Sequence, residues 1–406
     1  MKASAGRARR ILIIVENLPC PFDRRVWQEA RVLHAAGYIV TIICPKGQGY
    51  DASDEVLEGI HILRHPHGFE ADGPLGYLLE YGSALFWEMW LACRVALRQG
   101  FDVIHACNPP DTIFLIGAVF KLFGKRFLFD QHDINPELFE AKFGRRGFMY
   151  RIVRLLERLT FLTADVSIAT NESYRRIAVQ RGRMNPHDVF VVRSGPDLDR
   201  VRPGTPDATL LQGRRFLIGY VGVMGKQEGI DLLLRSVAHL VHKVGRRDIQ
   251  FCLVGGGTEL ESMRRYAADL RVADYVTFTG RVSDAVLMTA LSTADVCVNP
   301  DPVNEMNDKS TMNKIVEYMA LGKPIVQFDL TEGRYSAGDA SLYARANDVR
   351  DLGDKIAELL SDPARRVAMG RVGTERVRNE LAWAHQVPSL IAAYERLFNR
   401  EKALPQ

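Results

Sequence analysis

The sequence predicts two doubly wound α/β domains in tandem. Short apolar, β-branched runs alternate with amphipathic segments along nearly the whole chain. Those runs are continuously apolar, as parallel strands buried on both faces require, and ~10–15-residue helical patterns lie between them. A Pro-, Gly- and Asp-rich stretch divides the pattern near its middle. The 406 residues suit two or three domains of ~100–200 residues each. A composition of 47% hydrophobic and 25% charged residues excludes a disordered or fibrous chain.

In the first half the pattern predicts strands at 11–16, 38–44, 103–106, 127–131, 166–169 and 189–192, with helical periodicity between them, as at 26–36 and 150–162. Residues 193–206 (Arg-Ser-Gly-Pro-Asp-Leu-Asp-Arg-Val-Arg-Pro-Gly-Thr-Pro) read as an interdomain linker. Strand character then restarts at Phe216, with runs at 216–223, 250–254, 276–279, 296–299 and 324–328. The amphipathic tail 383–400 reads as a helix. The expected division is 1–200 and 201–383, with a helix at 384–403 packing back on the first domain. Ligand loops of such sheets follow the carboxyl ends of the strands, so two domains facing each other are expected to bind ligand in the cleft between them.

Lys and Arg number 53 against 49 Asp and Glu, a net charge of +4, which is too weak a bias for a nucleic-acid binder. It suits anionic small molecules or an anionic membrane surface. The six cysteines form no Cys-x-x-Cys pair and read as buried, reduced thiols, with neither a disulfide framework nor a zinc site. The basic N-terminus is followed by an apolar run, 11–15, that is shorter than the ~7–15 residues of a secretory core or the about 20 of a membrane span. A cytoplasmic protein, soluble or peripheral on the inner face of a membrane, is therefore expected.

The stretch 298–325 is the most informative. A strand ends near Asn299, a polar loop follows, and a helix is expected to begin near Ser310, a favourable N-cap residue. Such a helix start favours phosphate through its free N–H groups and positive dipole end. Lys309 and Lys314 add cations there, and Glu317, on the same helical face as Lys314, is placed to accept ribose hydroxyls. A capped surface helix with an ordinary Lys–Glu pair has the same local pattern. In the first half, His132 follows a buried run within Phe-Asp-Gln-His-Asp-Ile-Asn-Pro-Glu (129–137), which directs it towards ligand rather than core; His105 is a second such position. Asp23 suits an N-cap, and Arg24 and Arg25 in the next turn either face an anion or are solvated. His65 and His67 flank Pro66 without a nearby carboxylate or thiol, so no metal site is expected, and Asp197 with Asp199 reads as turn chemistry. Leu260 stands where a dinucleotide motif needs its third glycine, and Gly225-Lys226 lacks the upstream glycine of a P-loop.

The run Glu-Tyr-Met-Ala-Leu-Gly-Lys-Pro-Ile-Val (317–326) resembles the donor-site motif of glycosyltransferase family 4. Members are retaining nucleotide-sugar glycosyltransferases with two Rossmann-like domains, the GT-B architecture. The resemblance extends over nearly the whole chain. Residues 190–197 (Phe-Val-Val-Arg-Ser-Gly-Pro-Asp) are similar to the interdomain segment, 253–260 (Leu-Val-Gly-Gly-Gly-Thr-Glu-Leu) to a strand–glycine–helix unit, and 276–282 (Val-Thr-Phe-Thr-Gly-Arg-Val) to the strand beside the nucleotide base. The resemblance implies that Glu317 holds the ribose, that the backbone at Arg281 and Val282 faces the base, and that Gly222, Lys226, Lys309, Asn313 and Lys314 lie around the diphosphate. It places His132 beside the reacting sugar.

The departures are also specific. Lys309 stands where the family commonly has the first of two glutamates, and Val223 and Glu228 stand where it often has Arg and Lys. Residues 16–26 lack the Gly-Gly pair of many relatives. Lys226, Lys309 and Lys314 are expected to replace the lost cations jointly, so that the diphosphate needs no metal and the reaction no cofactor. The implied reaction moves a sugar from a nucleotide-diphosphate sugar to a hydroxyl of a carbohydrate or lipid-linked acceptor, with retention, in surface polysaccharide or glycolipid synthesis. A nucleotide-sugar 2-epimerase and a non-catalytic sugar-binding protein share the outline. Segments 84–95, with two tryptophans, and 144–160, basic with interleaved apolar residues, suit either interfacial attachment to anionic lipid or packing on the sheet.

Overall fold

The computed structural model describes residues 7–66 and 73–399, with side chains of all but 73–80 among them. His67 and positions 400–403 of the expected C-terminal helix lie outside the described residues. The chain forms two compact units, divided at Val192/Arg193 and at Gln386/Val387.

The first unit contains β1 (Arg10–Ile14), β2 (Ile39–Pro45), β3 (Asp54–Leu57), β4 (Ile60–His65), β5 (Val103–Cys107), β6 (Arg126–Gln131), β7 (Val166–Ala169) and β8 (Val189–Val191). They form one sheet in the order β3-β4-β2-β1-β5-β6-β7-β8, parallel except for β3 against β4. The second contains β9 (Phe216–Val221), β10 (Ile249–Val254), β11 (Val276–Gly280), β12 (Val296–Asn299), β13 (Ile325–Phe328) and β14 (Ser341–Ala344). Their order is β11-β10-β9-β12-β13-β14, all parallel. Both faces of this second sheet are covered. Ile218, Tyr220, Phe251 and Val298 enter one core, while Leu217, Cys252, Cys297 and Ile325 enter the other.

β3, β4 and β14 are strands that apolar runs did not mark. β3 is an edge strand whose exposure alternates, and it turns back through Glu58 and Gly59, both at positive φ. β14 is the short half-polar edge Ser-Leu-Tyr-Ala. The residues read as a linker begin by fastening to the second unit. Arg193 N–H donates to Gln386 Oε1 at 3.1 Å, and a side chain at Gly195 would meet the Leu381 carbonyl at 2.4 Å. The boundary accordingly lies before Arg193 and not at 200/201. The helix Val387–Asn399 belongs to the first unit: Ser389 Oγ donates to the Val191 carbonyl at 2.7 Å, and Leu390, Ala393, Tyr394 and Leu397 are fully buried.

All six cysteines are free, but Cys93 is exposed on the outward side of the helix Gly73–Arg98, against the expectation of a buried thiol. Cys20 and Cys44, distant in sequence, meet where Cys20 N–H donates to Cys44 Sγ at 3.3 Å. Among the described residues no helix is long and apolar enough to cross a membrane.

Leu397→Ala removes a fully buried side chain from the returning helix. It should cost about 2–5 kcal/mol of stability, read as a lower denaturation midpoint by circular dichroism.

Candidate active site

In a parallel sheet all the strands end on one edge, so the loops after β9, β10, β11 and β12 gather there. In the second unit glycines let these loops interlock. Gly222 N–H donates to the Val254 carbonyl at 3.1 Å, and Met224 N–H to the Gly256 carbonyl at 2.9 Å. Gly255 has φ +138°, and a Cβ there would lie 1.8 Å from the Gly222 carbonyl oxygen. No other residue fits that approach.

The loop after β12 departs from the expected helix start. Asn304 accepts from Asn307 N–H at 2.9 Å and opens a one-turn helix, Glu305–Lys309, which Ser310 terminates in an extended conformation. Ser310 is thus not an N-cap; its hydroxyl donates to the Met306 carbonyl at 2.8 Å. The following helix is Asn313–Ala320, and no side chain caps it.

Lys314 is nearly buried in this helix. Its ammonium donates to Glu228 Oε2 at 2.7 Å and Asp301 Oδ1 at 2.9 Å, and lies 5.0 Å from the Tyr220 ring centre. The Tyr220 hydroxyl donates to the same Glu228 oxygen at 3.2 Å. Burial opposes the charge on Lys314, but Asp301, Tyr220 and Glu228 outweigh it and raise its pKa well above the usual lysine range. Burial pushes Asp301 up to about 6 against the pull of Lys314. Two carboxylates balance this ammonium, so it adds no net positive charge to the loop edge, contrary to the expectation from sequence. Lys309 is likewise balanced, by Glu305 at 2.6 Å. Lys226 is exposed on the turn Lys226–Glu228, Asn313 and Arg281 are exposed, and Val282 is half-buried against the core. Glu317 accepts from Arg200 at 2.8 Å, and Arg200 also reaches Asp284 at 3.1 Å.

In the first unit His132 stands just past β6 in a network of buried charge. Arg25 donates to both Asp130 oxygens, at 2.8 and 3.1 Å, and to the Val192 carbonyl at 2.9 Å, and lies 3.1 Å from Glu29. His132 Nε2 is 2.6 Å from Asp130 Oδ2, and Asn108 Oδ1 accepts from the His132 and Asp133 N–H groups at 2.7 and 3.1 Å. Behind it, fully buried His105 pairs Nδ1 with the Tyr394 hydroxyl at 2.7 Å, while its Nε2 lies 3.5 Å from both Glu29 and Asp130. Arg25 is therefore committed to the interior, and Arg24 is exposed. Burial opposes ionisation of Asp130, yet Arg25 and His132 hold it well below the usual carboxylate range. For His132, burial opposes the charge and the Asp130 carboxylate overcomes it, raising the pKa. Burial pushes Glu29 up to about 8 despite Arg25, and lowers His105.

His105, Cys107 and Asp130 bring ligand-type atoms within 4.8 Å of one another. The set does not suit a cation: both Asp130 oxygens already accept from Arg25, and a guanidinium lies against them. Asp197 Oδ1 accepts from Asp199 N–H at 2.8 Å, a turn contact.

Residues 23–200 match the family described as Glycosyltransferase Family 4, and residues 215–362 match Glycosyl transferases group 1. A GDP-mannose-dependent alpha-(1-6)-phosphatidylinositol monomannoside mannosyltransferase of Mycobacterium tuberculosis is 30% identical over 368 residues, covering 87% of this chain and 88% of that protein. The chain belongs to the GT-B glycosyltransferases. Other relatives match in part. A D-inositol 3-phosphate glycosyltransferase of Corynebacterium aurimucosum is 24% identical over 258 residues, 59% of either chain. A 2-deoxystreptamine glucosyltransferase of Streptomyces kanamyceticus is 26% identical, and the match spans 59% of this chain and 62% of that one. The chain thus spans about three fifths of the length of these two relatives. Sucrose-phosphate synthase from Thermosynechococcus elongatus shares the fold, with a TM-score of 0.74 at 19% identity over 97% of this chain and 100% of that one. So does WaaG, a glycosyltransferase involved in lipopolysaccharide biosynthesis, with a TM-score of 0.71 at 13% identity over 94% and 98%.

Within this GT-B glycosyltransferase the sequence reading missed Asp301, Arg200, Asp130 and Glu29 as members of the charge networks. Asp301 carried one signal, an aspartate between prolines directly after a buried strand (Asn-Pro-Asp-Pro, 299–302). Glu228 had stood out only as a departure from the family pattern.

Lys314→Met strips the counter-charge from Glu228 and Asp301. It should cost about 3–5 kcal/mol near pH 8. The loss should shrink as the pH falls towards about 6, because Asp301, pushed up to about 6 even beside Lys314, keeps its proton to higher pH once that ammonium is gone. Urea titrations at the two pH values check this. Raised pKa values for His132 and Glu29 both mean that the folded protein binds protons more tightly than the unfolded chain, so their stabilising contribution is present at low pH and lost as the pH rises. The melting temperature should therefore fall between pH 6 and 9. In Asp130→Asn the imidazole NMR titration of His132 should move below its wild-type position.

Proposed function

We propose that the enzyme transfers a glycosyl group from a nucleotide-diphosphate sugar to an acceptor hydroxyl with retention of configuration. The observation that carries this reading is the set brought to one sheet edge of the second unit, within the region matching Glycosyl transferases group 1. There, glycine-built loops interlock, and the uncapped helix Asn313–Ala320, which carries Glu317, is tied to the loop after β9 through Lys314 and Glu228. Glu317 holds the ribose hydroxyls, the backbone at Arg281 and Val282 faces the base, and the loop at Gly222 lets the diphosphate approach closely. As the bond from sugar to phosphate breaks, negative charge grows on the leaving diphosphate. The N–H groups at Asn313 and Lys314, with the exposed ammonium of Lys226, stabilise that charge more than they stabilise the ground state. Lys314 acts indirectly, by holding Glu228 and Asp301. Its side chain is a positioning group.

His132, charged beside Asp130, donates a hydrogen bond to a hydroxyl of the sugar or the acceptor. The departing phosphate takes the acceptor proton. Lys226 and the N–H groups neutralise the diphosphate in place of a metal. The acceptor is a carbohydrate or lipid-linked saccharide in glycolipid or surface-polysaccharide synthesis, met at the inner face of a membrane. The name of the mycobacterial relative, which specifies GDP-mannose and a phosphatidylinositol mannoside, supports a lipid-linked acceptor.

A thermal-shift panel of nucleotide sugars should yield one stabilising donor. Glu317→Ala should weaken that donor about ten- to a hundredfold, the value of one hydrogen bond to a charged group. Unchanged affinity would remove Glu317 from the site, and a new sugar isomer formed without acceptor would make the enzyme an epimerase.

A further inference from the structure

In the first unit the helix Gly73–Arg98 leads from β4 to β5, Phe114–Lys121 from β5 to β6, and Phe148–Thr163 from β6 to β7. All three connections step the same way across a parallel sheet, so right-handed crossovers put the three helices on one face. Each buries an inner side; Ala84, Leu91, Ala92 and Val95 do so in the first helix. Each also turns large apolar residues outward. Phe86 is 64% exposed, Trp90 48% and Leu97 88% on the first helix; Leu122 at 85% and Phe123 at 70% follow the second, and Phe148 at 75% begins the third. Large exposed apolar residues gathered on one face of a sheet mark an interaction surface.

Among the described side chains of the three helices the exposed charges are positive, and one of them, Arg94, lies 3.8 Å from Asp54 of β3. Arg94, Arg98, Arg151, Arg154 and Arg158 lie at least partly exposed among the apolar residues. The described carboxylates of the three helices are Glu88 and Glu157, and both are buried. A self-complementary dimer through this face would set arginines against arginines. An anionic bilayer offers the complement to both features, a negative surface for the guanidinium groups and an interfacial layer for the rings.

We propose that the outer face of these three helices is a docking surface for anionic phospholipid bilayers. The proposal rests on the reading above for its purpose, because it brings the enzyme to a lipid-linked acceptor. It is tested apart from that reading. Flotation with vesicles of phosphatidylcholine alone, and with phosphatidylglycerol at about one third, should show binding only to the anionic vesicles, weakened at high salt. Arg151→Glu/Arg154→Glu/Arg158→Glu, and separately Phe86→Ser/Trp90→Ser, should each lower vesicle binding at least tenfold, with melting temperature and donor-induced thermal shift unchanged. Three results would overturn the proposal: no binding to anionic vesicles, equal binding to neutral ones, or light scattering that shows a dimer lost in the variants. A donor shift that persists without vesicle binding removes the surface and leaves the transferase reading standing. Vesicle binding without any donor shift does the reverse.

Discussion

At the carboxyl edge of each sheet a buried cation is shared between two carboxylates: Arg25 between Asp130 and Glu29 in the first unit, Lys314 between Asp301 and Glu228 in the second. A parallel sheet covered on both faces has no wet side, so its polar groups collect where the strands end. Charges desolvated there must be balanced inside the protein, because an unpaired buried ion is far costlier than a paired one. In each set one carboxylate is pushed towards neutrality, Glu29 to about 8 and Asp301 to about 6. The two cations are thereby nearly neutralised within the fold. They also join elements that the chain itself keeps apart, since Arg25 ties the first helix to the end of β6 and Lys314 ties the loops after β9 and β12 to the helix Asn313–Ala320.

That balance alters the electrostatics of the loop edge of the second unit. The family resemblance points to a positive loop after β9, and a simple exchange of cations would keep the edge positive. The chain instead has Glu228 in that loop, and the nearest lysine neutralises it. Positive potential at this edge must then come from backbone dipoles at Asn313 and from the exposed Lys226. Arg200 brings a further guanidinium to the edge but divides it between Glu317 and Asp284, where it fixes the orientation of the Glu317 carboxylate.

The fold was legible wherever periodicity reports burial. β1, β2 and β5–β13 each coincide with an apolar run, because parallel strands are buried on both faces. β3 and β14 were not, because edge strands carry half-polar sequences whose pairing depends on a neighbour. At the loop edges, the place of His132 just past β6 and of the glycine turns after β9 and β10 followed from the apolar runs before them. The networks could not, because Arg25 and Asp130 are 105 positions apart and Lys314 and Glu228 are 86 apart. Nothing local to Ser310 revealed that Asn304 would begin a separate turn before it. Segment 84–95 allowed both packing and surface readings, and a helix of 3.6 residues per turn satisfies both: Leu91 and Val95 face inward while Phe86 and Trp90 face out.

The charge state of His132 limits what it can do in a reaction. A histidine whose Nε2 is held 2.6 Å from an ionised Asp130 has one ring nitrogen, Nδ1, left for a ligand. Asp130 favours the protonated ring, in which that nitrogen donates and does not accept. His132 is therefore poorly suited to be the general base that would activate an acceptor hydroxyl, and well suited to hold a hydroxyl by donating to its oxygen. Two buried groups beside it are also closed off as bases. Glu29 holds its own proton up to about 8, and His105 is enclosed between Tyr394 and the carboxylates. At His132 the first unit thus offers a hydrogen-bond donor held in a fixed place by Asp130 and Asn108.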